Sequence, residues 1–157
     1  MNTEPAKAAC VTSVADAPLH VGQKVGPTEW RRMTQEQVNQ FAEVTGDRNF
    51  IHVDPERARA TAFGGTIAHG YLTLSLLAPI TQQLLVVTDA STSINYGLNK
   101  LRFPGPLPVG AEFRGHGEIV EVTPFDKGVQ IAATFTVEVK DAPKPALVAE
   151  CLFRYYR

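Results

Sequence analysis

Thr66-Ile-Ala-His-Gly70-Tyr-Leu-Thr-Leu-Ser-Leu-Leu-Ala-Pro-Ile80-Thr-Gln-Gln-Leu84 is the stretch on which the fold turns. Tyr71, Leu72, Leu74, Leu76, Leu77, Ala78 and Ile80 cover nearly every side of a helical wheel. The helix they form must therefore be buried on most of its surface. Starting at Gly70 and running for about fifteen residues, it would be about 22 Å long. Pro79 should kink it, or mark where an exposed second half begins. A buried helix of that length needs a sheet wrapped around it.

The residues downstream supply one. Ser93 to Phe103, Glu112 to Val122, Gly128 to Lys140 and Ala146 to Tyr156 are strand-like runs separated by Pro- and Gly-rich turns. Val129, Ile131, Ala133, Phe135, Val137 and Val139 alternate with polar residues, and Leu147, Ala149, Cys151, Phe153 and Tyr155 repeat the pattern. Helices followed by successive strands predict an α+β domain, an antiparallel sheet around a long central helix. One sheet around one helix leaves edges and apolar surface open, and a second copy of the chain would close them, so a homodimer is expected.

Upstream, Val21 to Trp30 contains Gly22, Gly26 and Pro27 and predicts only a short edge strand or an extended lead-in. Trp30 reads as a core or interface plug. Thr34-Gln-Glu-Gln37 is a capping-box pattern, and Val38, Phe41, Ala42 and Thr45 share one face of the helix that follows. Gly46 stands where a left-handed residue would stop that helix. Asp54 and Pro55 restart a helix as N-cap and first residue, and Phe63-Gly64-Gly65 ends it. The segment from Asp47 to His52 is thus a short link pinned at both ends.

Composition limits the function classes. The 157 residues suit one domain, residues 21–157, behind a flexible N-terminal arm over residues 1–20. With 44% hydrophobic and 20% charged residues the chain is an ordinary globular protein. A net charge of -1 argues against a nucleic-acid binder, so an anionic ligand must be met by a few local cations. Cys10 and Cys151 lack any CxxC spacing and read as free thiols, Cys151 in the core, which argues against zinc or redox chemistry. The arm has no apolar run of the kind a signal peptide carries, and the Tyr71–Val87 segment is too short and too polar to span a bilayer. A cytoplasmic protein with no membrane partner is expected.

The chemistry-bearing residues crowd one region. Asp47, Asn49 and His52 lie in the pinned link, and a carboxylate beside an imidazole can take or give a proton on a water near neutral pH. In a plainer reading Asp47 only makes a turn and His52 only fills a pocket. Asn49 would fix the link or orient one of the pair. Gly70 opens the buried helix, whose free N–H groups could stabilise an enolate-like oxygen on a thioester carbonyl. Alternatively Gly70 only permits close packing. His69 could be a third catalytic group, or a metal ligand with His52 and Asp47, though no further His or carboxylate falls nearby in the sequence. Among the cations, Arg57, Arg59 and Arg114 read as solvated surface, while Lys100 and Arg102, flanked by Tyr96 and Phe103, could receive a phosphate and stack a purine.

Phe41-Ala-Glu-Val-Thr-Gly-Asp-Arg-Asn-Phe-Ile-His52, with Ala60 downstream, resembles the hydratase 2 motif of the MaoC-like, (R)-specific enoyl-CoA hydratases. Ile67-Ala-His-Gly-Tyr-Leu72 resembles their second signature, and Lys100-Leu-Arg-Phe103 followed by Pro-Val-Gly110 fits the strand and turn after it. The likeness runs from about Val21 to the C-terminus and is strongest to stand-alone, nodulation-protein-N-like members. It implies a hot-dog fold, a homodimer, and reversible syn addition of water across a trans-2-enoyl thioester to give the (R)-3-hydroxyacyl form. Asp47 and His52 would hold and activate the water, and the Gly70 N–H would receive the thioester oxygen. Asn49 and His69 would support them. No metal or redox cofactor is implied; coenzyme A arrives with the acyl-CoA substrate, with Tyr96, Lys100 and Arg102 as candidate contacts. The chain departs from the family pattern at Phe50, where a proline is usual. The two alternatives are a thioesterase, which the same fold hosts, and an acyl-thioester binding subunit without turnover.

Overall fold

The computed structural model describes residues 9–157. In chain order these form β1 (Cys10–Thr12), a 3-10 turn (Ala17–His20), β2 (Lys24–Val25), β3 (Arg31–Arg32), α1 (Gln35–Thr45), α2 (Phe50–Val53) and α3 (Pro55–Arg59). The central helix follows as α4 (Gly70–Ser75) and α5 (Leu77–Leu84), then β4 (Leu85–Val87), β5 (Thr92–Arg102), β6 (Glu112–Phe125), β7 (Gly128–Val139) and β8 (Leu147–Tyr156). The large sheet is antiparallel in the order β2-β6-β7-β8-β5, with β3 also paired to β6. A sheet of this kind folded over a central helix is the hot-dog arrangement.

Alternation decides the core. Along β7 and β8 the inward residues Ile131, Ala133, Phe135, Val137, Leu147, Ala149, Cys151 and Phe153 are buried, while their neighbours face outward. Burial of a side chain such as Phe135 contributes about 1.5–3 kcal/mol. On β6 the helix comes so close that a Cβ at Gly115 would lie 2.6 Å from the Ile80 side chain. Only glycine leaves room for α5 to sit on the strand there. β6 also runs on through Pro124 and Phe125, where the sequence predicts a turn, because those residues pair with Val129 and Gly128 and leave only Asp126-Lys127 to reverse the chain.

Pro79 interrupts the central rod as the sequence predicts, and the rod departs from the expected helix in its exposed face. The break falls at Leu76, upstream of Pro79, because Pro79 offers no N–H to the Ser75 carbonyl four residues back and its ring crowds that oxygen. The surface of the rod is not closed all round. Tyr71, Ser75, Ala78 and Gln82 form an exposed stripe, with Tyr71 74% exposed. Beside it runs β5, bonded to β8 on one side and last in the strand order. Ten of its residues are exposed, Ile94, Tyr96 and Leu98 among them.

Three sequence expectations change at the periphery. Residues 1–8 of the arm lie outside the described residues, but the rest of it is no loose tether. β1 pairs in parallel with β4 (Cys10 with Leu85), and Cys10, Val14 and Ala17 are buried. Trp30 is not a core plug: it is half-buried at the surface, with the Arg114 guanidinium 4.3 Å above its ring. The link between α1 and α3 is not all loop, since α2 makes one helical turn within it. Among the described residues no helix is long and apolar enough to cross a membrane.

Candidate active site

Each residue of the site is fixed by a local device. Thr34 caps α1 in a complete capping box with Gln37, and Gly46, at φ 78°, ends it by donating its N–H to Ala42. The next residue is Asp47, whose carboxylate accepts from the Asn49 N–H at 3.3 Å. Asn49 in turn caps α2, its side chain accepting from the Ile51 N–H, so its side chain serves the turn that carries His52. Asp54 caps α3 by accepting from the Arg57 N–H. Phe50 occupies the first position of α2, where a backbone N–H has no intrahelical partner and proline is equally at home. Its ring lies under the Arg57 guanidinium at 4.3 Å, which ties α2 to α3.

The fold brings Asp47, His52 and His69 together, with one carboxylate oxygen and one nitrogen of each ring within 4.8 Å of one another. His52 and His69 are buried; Asp47 is exposed. His52 Nδ1 lies 2.7 Å from the Ile67 carbonyl oxygen, which can only accept, so Nδ1 carries the proton and Nε2 a lone pair. The same logic at His69, where Nε2 lies 2.9 Å from the Asp47 carbonyl oxygen, leaves the lone pair on Nδ1. The two rings stack at 3.9 Å with 28° between planes, and Phe41 leans on His69 from 4.9 Å. Burial pushes the His52 imidazole below its ordinary 6.5, aided by His69; the hydrogen bond to Ile67 and the Asp47 charge pull the other way. His52 is thereby kept a neutral acceptor.

Such a trio has the donor types of a metal site. Ligand atoms around a tetrahedral ion with bonds of about 2.0–2.1 Å sit roughly 3.4 Å apart. A single water held by two hydrogen bonds of about 2.8 Å spans roughly 4.5 Å between its partners. A separation within 4.8 Å admits a water between the donors as well as an ion.

Gly70 begins α4 directly after His69. Its N–H and those of the next two residues have no intrahelical carbonyl to reach. A Cβ there would lie 3.2 Å from the Phe103 ring, so close packing alone explains the glycine, while the half-exposed backbone still lines a cavity of about 370 Å³ with Phe63, Ile67, Thr73 and Leu107. Of the candidate coenzyme contacts, Arg102 and Lys100 are exposed near Phe103. Tyr96 is different. Seven residues from Phe103 along a strand is roughly 20 Å, and its ring is covered by the Arg154 guanidinium at 3.4 Å, so the chain does not bring it to its own Gly70.

Sequence reasoning missed Gln35 and Thr66. The Gln35 amide donates to the His52 carbonyl at 2.7 Å and to Asn39, and accepts from the Thr66 hydroxyl at 2.6 Å. One side chain thus ties α1, α2 and the lead into α4. Gln35 opens a capping-box helix and looks like any exposed first-turn residue, so no local pattern marks it.

Comparison with known proteins shows the class first: the relatives include dehydratases and a hydratase, and the chain is an enzyme of that hydro-lyase type. More narrowly, residues 16–141 match the MaoC like domain, and the chain belongs to that family. It is 51% identical over 144 residues to 3-hydroxyacyl-thioester dehydratase Z of Mycobacterium tuberculosis H37Rv, covering 91% of this chain and 95% of that protein. Nodulation protein N of Rhizobium leguminosarum is 40% identical, with 87% of each chain covered. Among solved structures, the (R)-hydratase from Aeromonas caviae involved in PHA biosynthesis superposes with a TM-score of 0.70 at 30% identity, over 85% of this chain and 94% of that one.

Proposed function

We propose that this protein is an (R)-specific enoyl-CoA hydratase, adding water reversibly and syn across a trans-2-enoyl thioester of coenzyme A. The observation that carries it is that the fold brings the Asp47 carboxylate and a His52 ring nitrogen within 4.8 Å of each other, close enough for one water to bridge them. Asp47 holds that water through one of its hydrogens. His52 Nε2 takes the other as the oxygen bonds to Cβ, and the displaced electron pair moves through Cα to the thioester oxygen. There the Gly70 N–H, at the positive end of the rod, meets the developing charge. The proton taken up by the pair returns to Cα on the same face, and no metal or redox cofactor is required. The names of the relatives support a 3-hydroxyacyl or enoyl thioester as the reacting group. An apolar cavity of about 270 Å³ lined by Leu74, Leu77, Ala78, Leu98 and Phe153 offers room for an acyl chain. The exposed stripe of the rod and the apolar edge of β5 support a homodimer.

The test is the loss of enoyl absorbance from crotonyl-CoA, with the product resolved on a chiral column. Asp47→Asn and His52→Gln should each lower kcat by about 10²–10⁴ with the fold intact. Wild-type rates in both variants, or release of free thiol without hydration, would reject the assignment.

A further inference from the structure

His69 reaches both halves of the site. Its backbone caps α4 and carries directly into Gly70, while its ring, 2% exposed, touches the loop of Asp47. The Nε2–H group donates to the Asp47 carbonyl at 2.9 Å, and the ring is clamped between Phe41 and His52. Its other nitrogen, Nδ1, is buried and has no hydrogen-bond partner among the described residues. A histidine kept only to fill space would give that place to an apolar ring without loss, and one kept to cap α4 would turn Nδ1 toward the helix amides, which this one does not do. What the imidazole supplies that phenylalanine cannot is the single N–H aimed at the main chain of Asp47.

We propose that His69 is a positioning residue: its Nε2–H holds the backbone of Asp47 at a set distance from the Gly70 amide, so that the water and the thioester oxygen are aligned by one side chain. The inference rests on the hydratase reading and adds to it the part that keeps the two ends of the reacting system in register. Asp47 is the exposed member of the site; its neighbour Arg48 donates its N–H to the Gly46 carbonyl at 3.0 Å and pairs with Glu43, so the restraints on Asp47 itself are these local ones and the bond from His69. The Asp47 N–H reaches Thr45 Oγ1 at 3.4 Å, and the Asn49 N–H reaches the Asp47 carboxylate at 3.3 Å, both long bonds. With the His69 bond removed, Asp47 moves relative to Gly70 while substrate binding elsewhere is untouched. A misplacement of about 1 Å costs about 100-fold in rate.

The experiment compares His69→Phe, which keeps the ring and the stack, with His69→Gln, which restores an N–H near the Nε2 position. His69→Phe should lower kcat for crotonyl-CoA hydration by about 10- to 100-fold with KM within about threefold, and His69→Gln should recover at least about fivefold of that loss. Unchanged kcat in His69→Phe overturns the proposal, as does an equal loss in both variants accompanied by an equal drop in Tm. A second measurement needs neither turnover nor a variant. Nitrogen-15 NMR of the wild-type imidazoles at alkaline pH should show His69 as the Nε2–H tautomer, and an Nδ1–H tautomer refutes the bond. If the wild type fails to hydrate any enoyl-CoA, the hydratase reading falls while the tautomer measurement still decides the geometry.

Discussion

The sheet and the site loop are held together by opposite means. In β7 and β8 stability comes from repetition: side chains are buried in alternation, and each strand, like β6 beside them, bonds its neighbour along its length. Between Gly46 and Asp54 almost nothing repeats. Asp47, Asn49, His52 and Asp54 each make contacts of their own kind: the carboxylates and Asn49 serve amides two or three residues on, while His52 reaches Ile67 and the Asp47 carbonyl accepts from His69. A pattern tolerates one altered member at the cost of stability; a set of single contacts loses its aim when any one is removed. Substitutions in the two regions should therefore separate stability from turnover.

The largest effect belongs to the sheet. Phe135→Ala, at a site with no exposure, should destabilise the fold by about 3–5 kcal/mol in urea, with kcat per folded molecule unchanged. Gly115→Ala, which forces a methyl group against Ile80, should cost about 1–3 kcal/mol and likewise spare kcat. In the loop the balance should reverse: Gln35→Ala should lower kcat by about tenfold while its stability cost stays near 1 kcal/mol. If Phe135→Ala reduces kcat as much as Gln35→Ala does, the contrast between the regions collapses. The smallest effect is a displacement of the pH profile. His52 must be neutral to accept a proton, and burial holds its pKa below 6.5. Activity, followed as kcat/KM, should fall in acid with its midpoint below pH 6.5; a midpoint above 6.5 would mean that the Asp47 charge and the Ile67 hydrogen bond outweigh burial.

The same contrast governs what could be read from the sequence. The edges of β7 and β8 fall within a residue of the expected ones, because a period of two kept up over ten residues or more fits a half-buried strand and no helix. The capping box and Gly46 marked α1 as sharply. α2 stayed hidden because a single turn, Phe50–Val53, is too short to show a period. The Gln35–Thr66 bond joins residues 31 apart, and the pairing of β1 with β4 joins a three-residue strand to a segment 75 residues on. Neither leaves a trace in its neighbours. The open stripe of the rod was missed because Tyr71 and Ala78 count as apolar whichever way they face.

The family match starts at residue 16, yet Cys10 and Val14 are already part of the interior. Anyone trimming a gene to begin at residue 16 would discard β1, strip Leu85 of its neighbour and leave β4 as bare edge at the foot of the rod. Such a shortened product should come out of expression as sticky, sedimenting material, and a purification tag belongs where its removal cannot take those first strand residues with it.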